Sequence, residues 1–200
     1  MPLEKGGASL AGVEEGPFLM PVEDVFCLQQ GRVVMATGRI ERGRVHEGEV
    51  VEIVGPGGDA TARIAGIDMS RTSIGEARAG MNVGMRLRGV AADAVRRGQV
   101  LAAPGSVSAR SGFTADITLL PEEQGGADIA SGDRLCFYVR TAAVWGTVTL
   151  PEGADVVRPL YGAEVTVALE EPVVLQRGQT FAFRHHGRAA GSGIVTHLPR

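Results

Sequence analysis

The chain has 200 residues, 44% of them hydrophobic and 22% charged, with a net charge of −3. That size suits one large or two small globular domains with genuine apolar cores. The charge is nearly balanced on either side of Gly105, so no global basic field gathers nucleic acid, and any RNA contact must come from locally placed arginines.

Lys5 is the single lysine, which leaves 19 of the 20 basic residues as arginine. Aromatic residues make up only 4%, so the cores are expected to rest on Val, Leu, Ile and Ala. Cys27 and Cys136 stand far apart in strand-like runs and read as buried, reduced thiols, with neither a disulfide framework nor a metal set. No signal peptide and no apolar run of membrane-spanning length is visible, and the expectation is a soluble, cytoplasmic chain.

Residues 1–16, "MPLEKGGASLAGVEEG", form a Gly-rich lead-in expected to be flexible. Period-two alternation dominates from there on. "RVVMATGRI", "ERGRVHEGE" and "VVEIVG" read as strand, hairpin and strand, with Gly43 and Gly48 at the turns. "PGGD" over 56–59 turns into "ATARIAGIDM", and Gly75 and Gly80 precede a strand from Asn82 to Leu87. Ala91 to Arg96 reads as a short helical turn before a strand that Pro104-Gly105 closes. A second series follows: "FTADITLLP", "RLCFYVRTAAVWGTVTLP", "EVTVALEEPVVL" and "TFAFRHHGRAAGSGIVTHL". Regular short strands with Gly/Pro turns predict an all-β chain of two domains, 17–105 and 106–200.

Catalytic templates are missing. No G-x-x-x-x-G-K-[ST] occurs, and the lone Lys5 excludes a P-loop lysine, so GTP hydrolysis by these residues is excluded. Neither a G-x-S-x-G elbow nor an H-E-x-x-H pair is present. His185 and His186 are expected to point to opposite faces of a strand, which disfavours one ion bound by both. Glu122-Glu123 and Glu170-Glu171 read as solvated loop acids beside prolines. No catalytic residue, metal ligand or cofactor site is expected.

The runs "PVEDVF", "TGRIERG", "VEIVG", "GEARAGMNVG", "LRGV", "RRGQVLAAPG", "FYVRT", "LPEG" and "GRAAGSGIV" resemble, in order and spacing, the second and third domains of the bacterial elongation factor Tu family over about residues 17–198. The resemblance implies two antiparallel β-barrels side by side, with the family's amino-terminal GTPase domain missing ahead of Pro17. On that pattern Gly38, Gly43, Gly48 and Gly84 become turn or close-approach positions. Val33, Val34, Val45, Val50 and Ile53 become core candidates.

The family's second domain holds the aminoacylated 3′ end of tRNA. The resemblance places Glu23, Asp24, Phe26 and Thr37 at positions lining or supporting that pocket, with Arg71 beside them. Asn82 and Val83 fall where the aminoacyl group and terminal nucleotide are met. From the residues alone, the preferred reading is Phe26 and Val83 as core and Asn82 as a turn cap. Asp68 stands at the family's acidic position but is one methylene shorter. Arg86 replaces an apolar pocket residue, where it either crowds adenine or reaches phosphate. The loop after Leu28, "QQGRVV", is one residue longer than the usual form.

The family's third domain touches the tRNA T-stem through polar groups. Here Cys136, Trp145, His185 and His186 take those positions, and a protonated His185 would attract phosphate. Cys and Trp are poor substitutes for an amide and a hydroxyl, so this contact reads as eroded. The implied role is a non-catalytic binding module of translation with weak tRNA affinity. The alternative is a protein-interaction module docking on translation components or a separate GTPase chain, or a degenerate paralogue without RNA binding.

Overall fold

The computed structural model describes residues 16–29 and 33–199. Residues 1–15 of the lead-in and Gln30 to Arg32 of the lengthened loop lie outside the described residues. Apart from single 3-10 turns at Ala92–Ala94 and Glu122–Gln124, the regular structure described is all β. The first of these turns stands where the helical turn over Ala91 to Arg96 is predicted.

The first sheet contains β1 (Leu19–Pro21), β2 (Asp24–Leu28), β3 (Val33–Arg39), β5 (Val50–Val54), β6 (Ala60–Met69), β7 (Thr72–Ile74), β9 (Asn82–Arg88) and β10 (Val100–Ala102). Its order is β1-β10-β5-β6-β9-β3-β2, with β7 added on β6, while β4 (Arg44–His46) and β8 (Glu76–Arg78) pair as a separate ribbon. This sheet is open, which corrects the expectation of two side-by-side barrels. The reason lies at Pro21 to Glu23. Proline ends the three-residue β1 and has no N–H to extend a ladder. The chain then changes partner within two residues: Val22 N–H donates to the Gln99 carbonyl at 2.9 Å, and Glu23 N–H to the Thr37 carbonyl at 2.8 Å. This bent segment and a single antiparallel bridge between Leu19 and Arg42 link the two ends, and among the described residues no strand ladder joins them.

The alternating strands bury one face. Val34, Ala36, Val51, Ile53, Ile64, Ile67, Met85 and Leu87 meet in the core of this sheet. Val33, Val34, Val45 and Ile53 are buried as expected, but Val50 is exposed, because it lies on the outer face of β5. Cys27 is exposed on β2, against the expectation of a buried thiol, whereas Cys136 is buried.

The second unit is a closed barrel. β11 (Ala109–Leu119), β16 (Gly162–Val174), β14 (Ala142–Thr149), β13 (Arg134–Val139), β17 (Thr180–His185) and β18 (Arg188–His197) join in that order. β12 (Ile129–Ala130) and β15 (Val156–Val157) form a short ribbon beside it. Its core departs from the all-aliphatic expectation. Four of the chain's six phenylalanines, Phe113, Phe137, Phe181 and Phe183, sit inside it. Phe113 meets Phe181 edge-on at 5.4 Å between ring centroids and Phe137 at 6.0 Å, the geometry that ring quadrupoles favour. Glu170 and Glu171 lie within β16 and not in a loop, both exposed where the pairing of β16 with β11 shifts register.

Sheet and barrel pack on each other. Leu19, Val54, Val100 and Ala102 form a small shared core with Val174 of β16. Arg140, in the β13–β14 turn and only 6% exposed, places Nε 2.7 Å and Nη2 3.1 Å from the two Glu41 carboxylate oxygens. Its Nη1 donates to the Val174 carbonyl at 2.7 Å. Arg96 of the first unit pairs with Glu171 of the barrel. Removing one partner of a covered ion pair strands the other. We expect Arg140→Ala to cost about 2–4 kcal/mol in urea unfolding, and Arg96→Ala, whose pair is half exposed, less than about 1 kcal/mol. Equal losses would show that the Arg140 contact is not the stronger tie.

Candidate functional site

A cleft of about 250 Å³ opens on the first unit, lined by Glu23, Thr37, Gly38, Asp68, Ser70, Asn82, Val83 and Gly84. The strand registers explain the convergence. Thr37 faces Gly84 and Asp24, Gly38 faces Val83, and Asp68 faces Gly84. Five expected pocket residues therefore meet in one depression: Glu23, Thr37, Asp68, Asn82 and Val83. Asn82 is exposed at the first position of β9, while Val83 is buried against the core. Gly38 is required here. A Cβ at that position would lie 2.1 Å from the Pro21 carbonyl oxygen, so only a bare backbone lets the bent segment pass. Gly38 and Gly84 were visible in sequence as close-approach glycines; Ser70 carried no such signal.

The remaining expected pocket residues fall around the rim. Asp24 is exposed on β2, and its carbonyl accepts the Thr37 hydroxyl at 3.4 Å. Phe26, 51% exposed, projects from β2 and is not core. Arg71 sits with Ser70 in the two-residue turn between β6 and β7, both with positive φ (69° and 49°). Arg86 neither crowds the cleft nor hangs free. Its guanidinium occupies the space above Gly66, its Nη2 donates to Ser73 Oγ at 3.2 Å, and its Nε lies 3.1 Å from Asp68 Oδ2. That last approach is an ionic contact and not an aligned hydrogen bond. The shorter Asp68 is thus engaged by Arg86.

A much larger cleft, about 650 Å³, lies where the sheet meets the barrel, lined by Pro21, Glu23, Arg39, Ile40, Glu41, Arg78, Ala79, Gly80, Arg140 and Thr141. It shares Glu23 with the smaller one.

On the barrel, the four expected T-stem positions share one wall, but only two are open. Cys136 on β13 registers with Trp145 on β14 and with Arg184 on β17. Cys136 is buried, Trp145 is 41% exposed, His185 is 8% exposed and His186 is exposed. The two histidines do not point to opposite faces. His186 adopts φ +49° at the end of β17, and its ring stacks on His185 at 3.9 Å. Burial, followed by the neighbouring His186, lowers the His185 pKa, while Asp133 raises it less, so the phosphate-attracting imidazolium is disfavoured. Among the described residues no group of three or more His, Cys, Asp or Glu is placed to hold a metal. No described helix is long and apolar enough to cross a membrane.

His46 behaves oppositely. On the β4–β8 ribbon its Nδ1 lies 3.2 Å from Glu49 Oε1 and its Nε2 2.8 Å from Glu76 Oε2. Those hydrogen bonds, Glu49 first, raise its pKa above 6.5. Its contribution is complete below the unfolded value and disappears as pH rises through the higher folded value. The lowered His185 contributes stability above its unfolded value of 6.5, lost as pH falls toward the folded value. Denaturation at stepped pH checks both signs. His46→Gln should remove the decline on the alkaline side of 6.5, and His185→Gln the decline on the acid side.

Two family matches cover most of the chain. Residues 34–102 match the model described as elongation factor Tu domain 2, and residues 106–199 match the elongation factor Tu C-terminal domain. Neither matched region contains a P-loop sequence. The two matches, in that order, identify the chain as a member of the elongation factor Tu family, carrying its second and C-terminal domains.

Proposed function

We propose that this chain is a non-catalytic, cytoplasmic binding module of translation, built from domains 17–105 and 106–200, that takes the 3′ end of an aminoacyl-tRNA weakly in the smaller cleft. The observation that supports this reading is the convergence of Glu23, Thr37, Asp68, Asn82 and Val83 on one depression. An exposed amide at Asn82 suits an ester-linked amino acid, and the bare backbone at Gly38 lets the ligand approach closely. Two features keep the affinity low. Glu23 and Asp68 bring carboxylates to a phosphate-bearing ligand, and Arg86, a cation beside the cleft, is already paired with Asp68.

Titration with charged and uncharged tRNA at about 0.15 M salt tests the reading. Charged tRNA should bind with a Kd weaker than about 1 μM and more tightly than uncharged tRNA, and Asn82→Ala should erase the difference. Nanomolar binding or no discrimination between the two tRNAs would overturn it.

The larger cleft favours a second reading, a protein-docking module whose partner is a translation component such as a separate GTPase chain. Its lining alternates apolar Ile40 and Ala79 with Arg39, Arg78, Glu23 and Glu41, a mixture suited to a protein surface. An elongation factor Tu GTPase domain added in trans should co-sediment with the chain after RNase treatment, and Ala79→Arg should release it. Retention by the variant would reject this docking face.

A further inference from the structure

The outer wall of the barrel carries a feature that duplex recognition does not explain. Trp145 on β14 and Tyr138 on β13 are 41% and 36% exposed. Tyr138 registers with Ala143 and Cys136 with Trp145, so the two rings stand at diagonal positions of an antiparallel pair, about 7–8 Å apart. Their neighbours are small: Ala143, Ala182 and Cys136 occupy the adjoining positions, which leaves the rings standing above the sheet. Each ring has its own guanidinium. Arg134 lies over Trp145 at 4.2 Å and Arg184 over Tyr138 at 5.2 Å.

The cations differ in a telling way. Arg134 is held in place by Glu170, with Nε and Nη2 at 2.6 and 2.9 Å from its two carboxylate oxygens. Its charge is spent, but its plane remains fixed against the indole. Arg184 contacts Tyr138, registers with Cys136 on the same face, and has no carboxylate partner among the described residues. The wall thus presents flat stacking surfaces on one side and uncompensated positive charge on the other.

We propose that this wall binds single-stranded RNA, with consecutive bases stacking on the Trp145–Arg134 and Tyr138–Arg184 pairs and the backbone running past Arg184. Aromatic rings and guanidinium planes on a strand surface capture unpaired bases, whose faces are open. A duplex keeps its base faces covered and gives such rings nothing to stack on. The site lies on the barrel, away from the Asn82 cleft, and stands independently of the 3′-end reading.

Trp145 is the chain's only tryptophan, so its fluorescence reports directly on the wall. The probe is an oligouridylate of about twelve nucleotides ending in a 3′-phosphate, which cannot carry an aminoacyl group, set against a duplex of equal length. The single strand should quench Trp145 saturably, with a Kd between about 1 and 100 μM, and bind at least about tenfold more tightly than the duplex. By anisotropy of the labelled strand, Trp145→Leu and Arg184→Ala should each weaken binding about tenfold while melting like the parent. Trp145→Phe should restore part of the loss. Duplex binding as tight as single-strand binding, no saturation below about 1 mM, or unchanged affinity in folded Trp145→Leu would each overturn the proposal.

Discussion

Arg140 is the most deeply covered polar tie between the sheet and the barrel, set beside the apolar core they share. It occupies the tight turn between β13 and β14 at φ +51°, a conformation that L-residues rarely adopt. From there it reaches across to Glu41 while donating back to the Val174 carbonyl. One side chain therefore fixes the position of the barrel's turn and of the loop after β3. Gly98 adds to the same junction, since a Cβ there would lie 3.1 Å from the Ala142 backbone. The charge of Arg140 is covered by protein, and two carboxylate oxygens, a carbonyl and the Gln176 amide oxygen surround it. A guanidinium suits this position because its planar fork addresses several acceptors at once.

The smaller cleft follows from the way the first sheet is finished. Its walls come from β3, β6 and β9, whose register is set by the buried alternation of Val34, Ala36, Ile67, Met85 and Leu87. Its lip comes from the bent segment at Glu23. The barrel wall has a different origin: a rigid phenylalanine core inside lets β13, β14 and β17 present an orderly outer face, and the Glu170 carboxylate steadies Arg134 on it. Each surface takes its shape from the packing beneath it.

Much of this was legible in sequence. The alternation of Val33–Arg39 and Asn82–Arg88 marked the strands, and the glycines at 43 and 48 marked turns, because both signals are local, whereas Gly38 and Gly84 stood out only through the family resemblance. The convergence of Glu23, Thr37, Asp68, Asn82 and Val83 was legible only through family resemblance, since it depends on strands far apart in the chain. What was misread depended on context that a local pattern does not carry. Closure of the first sheet failed at a single proline. Val50 and Cys27 lie on the outer side of strands whose alternation alone does not say which face is inside. Glu170 and Glu171 were taken for a loop beside Pro172, but that proline lies inside β16. The stacked histidines required a left-handed residue that nothing in "RHHG" announces.

The break in the first sheet has a value of its own. In a fully laddered cylinder the amide groups at the seam would be consumed by neighbouring strands and the surface above them would be smooth. Here the hydrogen-bond circuit is interrupted at Pro21, the chain steps sideways over the bare backbone of Gly38, and Glu23 is left overhanging the gap. The break in the sheet and the lip of the cleft are the same few atoms.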